Sequence, residues 1–251
     1  MSEELSLGNS SRPIKNEAGR KKKSRRKSTN VFVAFFIDLI VVIGAALVLS
    51  LLIKTFLIRS FFIPTGSMLE TLQIDDRIIV NQLTPALYPI ERGDVVVFKD
   101  PGGWLGPNVS EPTDPLIVSV DWFLSAFGIT APDSKQHLVK RVVGTAGDKI
   151  VCCDADGKIT INGVPITEPY ISSGQAPSAI EFDVEVPPGS LWVMGDNRGN
   201  SEDSRYHGDL PSKGFVSTSW VVGRAMVISW PFENWNWLDN YPDVFKNIPK
   251  P

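Results

Sequence analysis

Arg20-Lys21-Lys22-Lys23-Ser24-Arg25-Arg26-Lys27 stands just ahead of the apolar run Val31 to Ile53, VFVAFFIDLIVVIGAALVLSLLI, whose one charge is Asp38. About 20 apolar residues span the hydrocarbon core as a helix, so this run is long enough to cross a membrane. Lys54 and Arg59 close it on the far side. The basic cluster outweighs those two residues, and the positive-inside rule then puts the N-terminus in the cytoplasm and the rest of the chain outside. A buried helix of a water-soluble domain is rarely apolar on every face for this length. A cleaved targeting segment needs a shorter apolar core and a small-x-small site soon after it. Arg59-Ser60-Phe61-Phe62-Ile63 offers none. The expected organisation is a basic cytoplasmic tail (1–30), a transmembrane helix (31–58) and one exterior domain (59–251).

Composition agrees once it is split at that run. The 251 residues carry 25 Lys+Arg, 28 Asp+Glu and a formal net charge of −3. Residues 1–30 hold nine Lys/Arg and three Glu, net +6, which leaves net −9 for the remainder. Against an apolar run, the basic tail reads as topogenic, so no nucleic-acid partner is expected and the lipid bilayer is. With 2 Cys, a four-thiolate zinc site or an iron–sulfur cluster cannot be built within one chain. No metal or cofactor is expected.

Beyond the anchor, short runs rich in Val and Ile recur between Gly, Pro and Asp: Arg77–Val80, Asp94–Phe98, His137–Val143, Lys149–Val151, Lys158–Ile161, Leu191–Met194 and Trp220–Ile228. Runs of this length bounded by turn formers read as β-strands. Asp156-Gly157 and Asn162-Gly163 are hairpin signals. The exterior domain is expected to be mostly β, with an accessory hairpin region at about 149–190. Residues 100–135 carry five prolines around Trp122-Phe123-Leu124 and Phe127, and read as an irregular insertion. Trp230, Phe232, Trp235, Trp237 and Tyr241 crowd one stretch near the C-terminus. Such aromatics suit either a lipid interface or a core. Adjacent Cys152 and Cys153 read as two separate thiols, because a bond between sequence neighbours strains disulfide geometry.

A candidate nucleophile lies just past the anchor, Ser67 in Pro64-Thr65-Gly66-Ser67-Met68, where a tight path past Gly66 can aim amides at a developing oxyanion. Two kinds of base are compatible with it. His137 and His207 are the 2 histidines, so a histidine-based triad is allowed by count. Lys140 is the other candidate. In a strand from His137 to Val143, Leu138, Lys140 and Val142 share one face. Flanking aliphatic groups desolvate an ammonium and lower its pKa. The polar loop Gly195-Asp196-Asn197-Arg198-Gly199-Asn200-Ser201-Glu202-Asp203-Ser204-Arg205 follows an apolar strand and, with two arginines against three acids, reads as internally paired.

The chain resembles the bacterial type I signal peptidases, membrane-bound Ser-Lys endopeptidases, over about residues 38–228. The likeness rests on four blocks in order: Pro64–Leu72, Arg92–Phe98, Leu138–Asp148 and Gly195–Arg205. It implies a signal-peptidase-like β domain behind one N-terminal transmembrane helix. It also implies cleavage of signal peptides from exported preproteins after small residues of the Ala-x-Ala kind, at the exterior face of the bacterial plasma membrane. By the same resemblance Ser67 is the nucleophile and Lys140 the general base. The Ser67 amide and the Thr65 hydroxyl form the oxyanion hole. Ser201 orients the lysine, and Asp203 pairs with Arg205. Ile63, Pro64, Met68, Leu72, Leu138 and Val139 line shallow substrate pockets. Thr65 departs from a more usual serine, and Glu70 and Ala146 stand where other residues are common. A lysine at the base position leaves His137 and His207 structural.

The topology fits that reading. Lys54 through Ile63 spans little at ~3.5 Å per residue, so Ser67 stays close to the bilayer. The rival classes are weaker. Ser-x-x-Lys spacing occurs at Ser24–Lys27 in the basic tail, and the self-cleaving repressors that share Ser-Lys chemistry have no anchor. A non-catalytic anchored β-domain, serving as receptor or adaptor, is the alternative outside enzymes.

Overall fold

The apolar run folds as helix α1, Val31–Phe56. Its 26 residues extend about 39 Å at 1.5 Å per residue. Side chains on all its faces are exposed, and Val31–Ile53 is long and apolar enough to cross a membrane. This computed structural model describes residues 31–106 and 136–251. The basic tail and most of the proline-rich stretch, with Trp122, Phe123, Leu124 and Phe127, lie outside the described residues. The chain divides into two compact units inside α1, and the second, Ala46–Pro251, holds every strand named here.

Strand β1, Ile58–Phe62, begins two residues past the helix, so α1 ends earlier than the expected 31–58. Antiparallel pairing explains the change: Ile58 to Phe62 lie opposite Asn81 to Arg77 of β2, Arg77–Asn81. Ladder hydrogen bonds to β2 replace the last turn of helix. The remaining strands are β3 (Val95–Lys99), β4 (His137–Thr145), β5 (Lys149–Cys152), β6 (Thr160–Ile161), β7 (Val164–Pro165) and β8 (Phe182–Glu185). β9 (Ser190–Met194), β10 (Val216–Ser217), β11 (Val221–Trp230) and β12 (Asn236–Trp237) complete the set. The larger sheet runs β1-β2-β11-β3-β4-β9-β10, with β12 on β11, and the smaller runs β7-β6-β5-β8. The mostly β expectation holds, and each sequence-predicted strand run contributes a strand.

β4 decides where the chemistry sits. It is central, between β3 and β9, and every residue from Lys140 to Gly144 is buried. Its neighbours fall into different cores. Val139 packs with Phe61, Ile63, Met68, Leu72, Val95 and Val97. Leu138 and Val142 pack instead with Val96, Phe98, Trp104 and Val193. Val143 joins a third cluster, with Ile150, Ile161, Trp192 and Met194, that reaches the smaller sheet. Residues from both faces of one strand thus knit three apolar clusters together.

Asn162 and Gly163, both at positive φ (51° and 79°), turn the chain between β6 and β7. That conformation is the reason for the Asn-Gly signal. The cysteines depart from the expected separate thiols: Cys152 and Cys153 are joined to each other in a disulfide at the end of β5. The aromatic stretch divides. Trp230, Phe232, Trp235 and Trp237 are each at least half exposed, whereas Tyr241 packs its ring against Tyr170 and under the Arg141 guanidinium.

Gly93 links β3 to β4 by donating its N–H to Val142 O at 2.7 Å. It has a φ of +89°, and a Cβ there would collide with Asn240 O. Steric and backbone strain together make Gly93→Ala cost at least about 2 kcal/mol. Denaturant unfolding of the purified chain should show a clearly lower midpoint for that variant; an unchanged midpoint would contradict the packing described.

Candidate active site

The strand-like path Ile63-Pro64-Thr65 ends in a 3₁₀ turn, Gly66–Met68, which presents Ser67. Thr65 caps the turn in extended conformation without using its side chain. Beneath it, Met68 and Leu72 are buried at 1% and 0% exposure, so an apolar floor fixes the turn. Lys140 reaches Ser67 from β4, its Nζ donating to Ser67 Oγ at 2.6 Å. Lys140 is 3% exposed. Among the described residues no carboxylate forms an ion pair with it. Burial lowers its pKa from the ordinary 10.5 to about 8, opposed by the negative charge of Asp203 and assisted by Arg205. Aliphatic neighbours on its face of the strand leave the ammonium poorly solvated, as the alternation of the sequence predicts.

The polar loop is held by buried ion pairs. Arg205 pairs with Asp203 at 2.8 Å with both side chains fully buried. Burial works against the Asp203 charge, but Arg205 and the Gly195 N–H hold its carboxyl below the usual range. Ser201 departs from its implied role. Its hydroxyl donates to Asp203 Oδ2 at 2.8 Å rather than meeting Lys140. It still borders the site, since a Cβ on Gly195 would collide with both Ser201 Oγ and Ser67 O. Close approach, rather than backbone conformation, is what requires glycine at 195.

Sequence reading missed two further buried pairs. Arg141 projects from β4 on the face opposite Lys140 and grips Asp196 through Nη2 at 2.7 Å and Nε at 2.9 Å. Thr71 also donates to Asp196, and Tyr170 lies 4.3 Å from the Arg141 guanidinium. Arg198 holds Glu168 at 2.6 and 2.8 Å. Arginine and acid lie 55 and 30 residues apart in these two pairs. No local pattern signals such pairing.

Around Ser67 opens a cleft of about 280 Å³. Of the six pocket residues implied by resemblance, Ile63, Pro64, Met68, Leu138 and Val139 line it. Leu72 does not; it lies behind, in the core with Met68. Trp104 and Leu105 form a wall the sequence did not reveal. Asp100 accepts from the backbone N–H groups of Gly102, Gly103, Trp104 and Leu105 and so builds the turn that carries them. Trp104 stacks on His207 with 4.3 Å between ring centroids. His137 lines the cleft too, and burial, with Arg59 and Lys99 nearby, lowers its pKa to about 4.

A serine hydroxyl on a desolvated amine, in a narrow apolar cleft, is the arrangement of a nucleophilic hydrolase. The family model for "Signal peptidase, peptidase S26" matches residues 36–230. The probable signal peptidase I of Mycobacterium leprae is 35% identical over 240 residues, covering 84% of this chain and 81% of the relative. Signal peptidase I of Mycobacterium tuberculosis is 38% identical over 210 residues, covering 76% and 71%. That of Leptolyngbya laminosa is 34% identical over 190 residues, covering 75% and 77%. The chain belongs to the signal peptidase family, peptidase S26, and is a serine endopeptidase.

Lys140 also has a stability consequence. Its folded pKa of about 8 lies below the ordinary 10.5. Below pH 8, therefore, folding buries a charge that the unfolded chain keeps in water. The cost is about 3 kcal/mol; it fades as pH rises from 8 to 10.5 and is absent above. Lys140→Met should raise the melting temperature at pH 7, with the gain shrinking towards pH 10. A variant no more stable than wild type at pH 7 would contradict the desolvation described.

Proposed function

We propose that this protein is a membrane-bound endopeptidase that removes N-terminal signal peptides from exported preproteins, cutting after small residues of the Ala-x-Ala kind. Ser67 is the nucleophile and Lys140 the general base. The observation that carries the reading is the 2.6 Å contact between a Lys140 Nζ buried from water and Ser67 Oγ. A neutral amine at that distance accepts the hydroxyl proton as Oγ adds to the scissile carbonyl carbon. The Ser67 N–H, at the 3₁₀ turn, and Thr65 Oγ1 are the two donors to the oxyanion. Collapse of the tetrahedral species passes the proton from Lys140 to the leaving amine and leaves an acyl-Ser67 ester. Lys140 then takes a proton from water, which attacks the ester and frees Ser67.

The remaining features supply binding and placement. A cleft narrowed by buried Ile63 and Met68, with Val139, admits small side chains and clashes with larger ones. Arg205, Asp203 and Ser201 hold the loop beside the amine. Residues 1–30 form a cytoplasmic tail, α1 anchors the chain in the bacterial plasma membrane, and residues 59–251 face the exterior, where signal peptides emerge. The region of the smaller sheet, about 149–190, is an accessory subdomain. Trp230, Phe232, Trp235 and Trp237, aromatic and exposed, are suited to the lipid interface.

The test is cleavage of a preprotein with an Ala-x-Ala site by the detergent-solubilised chain. Ser67→Ala and Lys140→Ala should each lower kcat by at least about 10³-fold, as loss of a nucleophile or its base does. Rates should rise with pH through about 8 as the amine loses its proton. Full cleavage by either variant would overturn the assignment of Ser67 and Lys140 as nucleophile and base.

A further inference from the structure

From the 195–205 loop, the Asn197 side chain reaches the backbone of the nucleophile's turn. Its Nδ2 donates to Gly66 O at 2.9 Å. Its backbone N–H donates to Ser67 O at 3.1 Å. Gly66 O also accepts from Leu69 N at 3.2 Å, the 3₁₀ bond of the turn itself. Gly66 O and the Ser67 N–H belong to a single peptide plane, and in a trans peptide they point in opposite directions. Whatever holds Gly66 O therefore aims the Ser67 N–H. A peptide that follows glycine turns over easily, because no Cβ at 66 opposes the rotation. Turned over, it would place a carbonyl oxygen where the oxyanion must form.

The orientation of the Asn197 amide is itself secured. Gln175 Nε2 donates to Asn197 Oδ1 at 3.3 Å, which leaves Nδ2 to face Gly66 O. Gln175 Oε1 accepts from Arg198 N at 3.2 Å. Glu168 grips Arg198 from the same connecting segment. A strap from the region of the smaller sheet thus reaches the nucleophile's peptide through two amides in series.

We propose that Asn197, held by Gln175, is a positioning residue that keeps the Gly66–Ser67 peptide in the orientation that offers the Ser67 N–H to the oxyanion. This rests on Ser67 being the nucleophile and its own amide an oxyanion donor. Asn197 acts on transition-state charge, so its loss falls on kcat and not on ground-state binding.

The experiment compares wild type, Asn197→Ala, Asn197→Asp, Gln175→Ala and Ser67→Ala, as full chains in detergent. Each is assayed with an Ala-x-Ala preprotein, with a peptide aldehyde ending at the same residue, and with the cleaved product peptide. The aldehyde reports on the oxyanion directly: Ser67 Oγ bonds to its carbon, the C=O π bond breaks to give the oxyanion, and the hydroxyl proton goes to Lys140. Asn197→Ala should lower kcat about tenfold. Asn197→Asp should lower it about a hundredfold, by setting an anionic oxygen against Gly66 O, within the range seen for oxyanion donors. Gln175→Ala should give a loss of a few-fold, with KM within about twofold throughout. Aldehyde affinity should fall in step with kcat/KM, while product affinity and the rate increase through pH 8 stay as in wild type. If Asn197→Asp does not fold, judged by its melting curve, the Asn197→Ala and Gln175→Ala variants decide. Wild-type kcat in those variants overturns the inference, as does a loss that leaves aldehyde affinity unchanged or moves the pH midpoint. Cleavage by Ser67→Ala instead overturns the underlying assignment of the nucleophile.

Discussion

An amine kept out of water beside a serine is the constraint on which the rest of this molecule depends. Lysine is among the side chains least often fully buried, and here it is 3% exposed in a central strand with an aliphatic neighbour two residues away on either side. The fold sets that environment against the stability of the protonated form. Three apolar clusters meeting at β4 supply it, and the 3₁₀ turn at Ser67 closes it from the other side. The proposed chemistry needs a base that is neutral near physiological pH, and desolvation supplies one without a metal or a histidine.

Such a site requires rigid surroundings, and the surroundings are ionic. Asp203–Arg205, Asp196–Arg141 and Glu168–Arg198 are all buried. Removing one member of such a pair typically costs about 3–5 kcal/mol, because the other charge is left unpaired in a poor solvent. The pairs need not add net stability to be useful. They hold the 195–205 loop in one conformation against the nucleophile, and each arginine uses its several donors to tie backbone carbonyls as well: Arg141 to Gly93 O, Arg198 to Gly195 O, Arg205 to Arg198 O. The loop carries charge, yet Lys140 receives none of it as a direct ion pair. A carboxylate in contact with the amine would keep it protonated.

Much of this was legible in the order of residues. The apolar run, the Val- and Ile-rich strands and the Asn-Gly turn follow from periodicity and turn chemistry, and the alternation around Lys140 anticipated a desolvated amine. Other features were hidden for identifiable reasons. β1 merges into the apolar tail of the helix, so its pairing with β2 is invisible without the partner. β8, Phe-Asp-Val-Glu, is half exposed and has too little apolar pattern to stand out. Arg141 looks like a solvent-facing strand residue until Asp196, 55 positions away, is brought under it. Ser201 sits where the family likeness places it, but its hydroxyl is taken by Asp203. Leu72 reads as a pocket residue and is core. Trp104 follows a Pro-Gly-Gly turn whose rigidity comes from one carboxylate, Asp100, accepting four backbone N–H groups.

The central claim is that Lys140 sheds its proton close to physiological pH because it is buried. The most direct measurement is NMR titration of the Lys140 Nζ in the intact, detergent-solubilised chain, assigned by its loss in Lys140→Met. A midpoint near pH 8, well below the other lysines, is the predicted result. A midpoint near 10.5, shared with the surface lysines, would contradict the account.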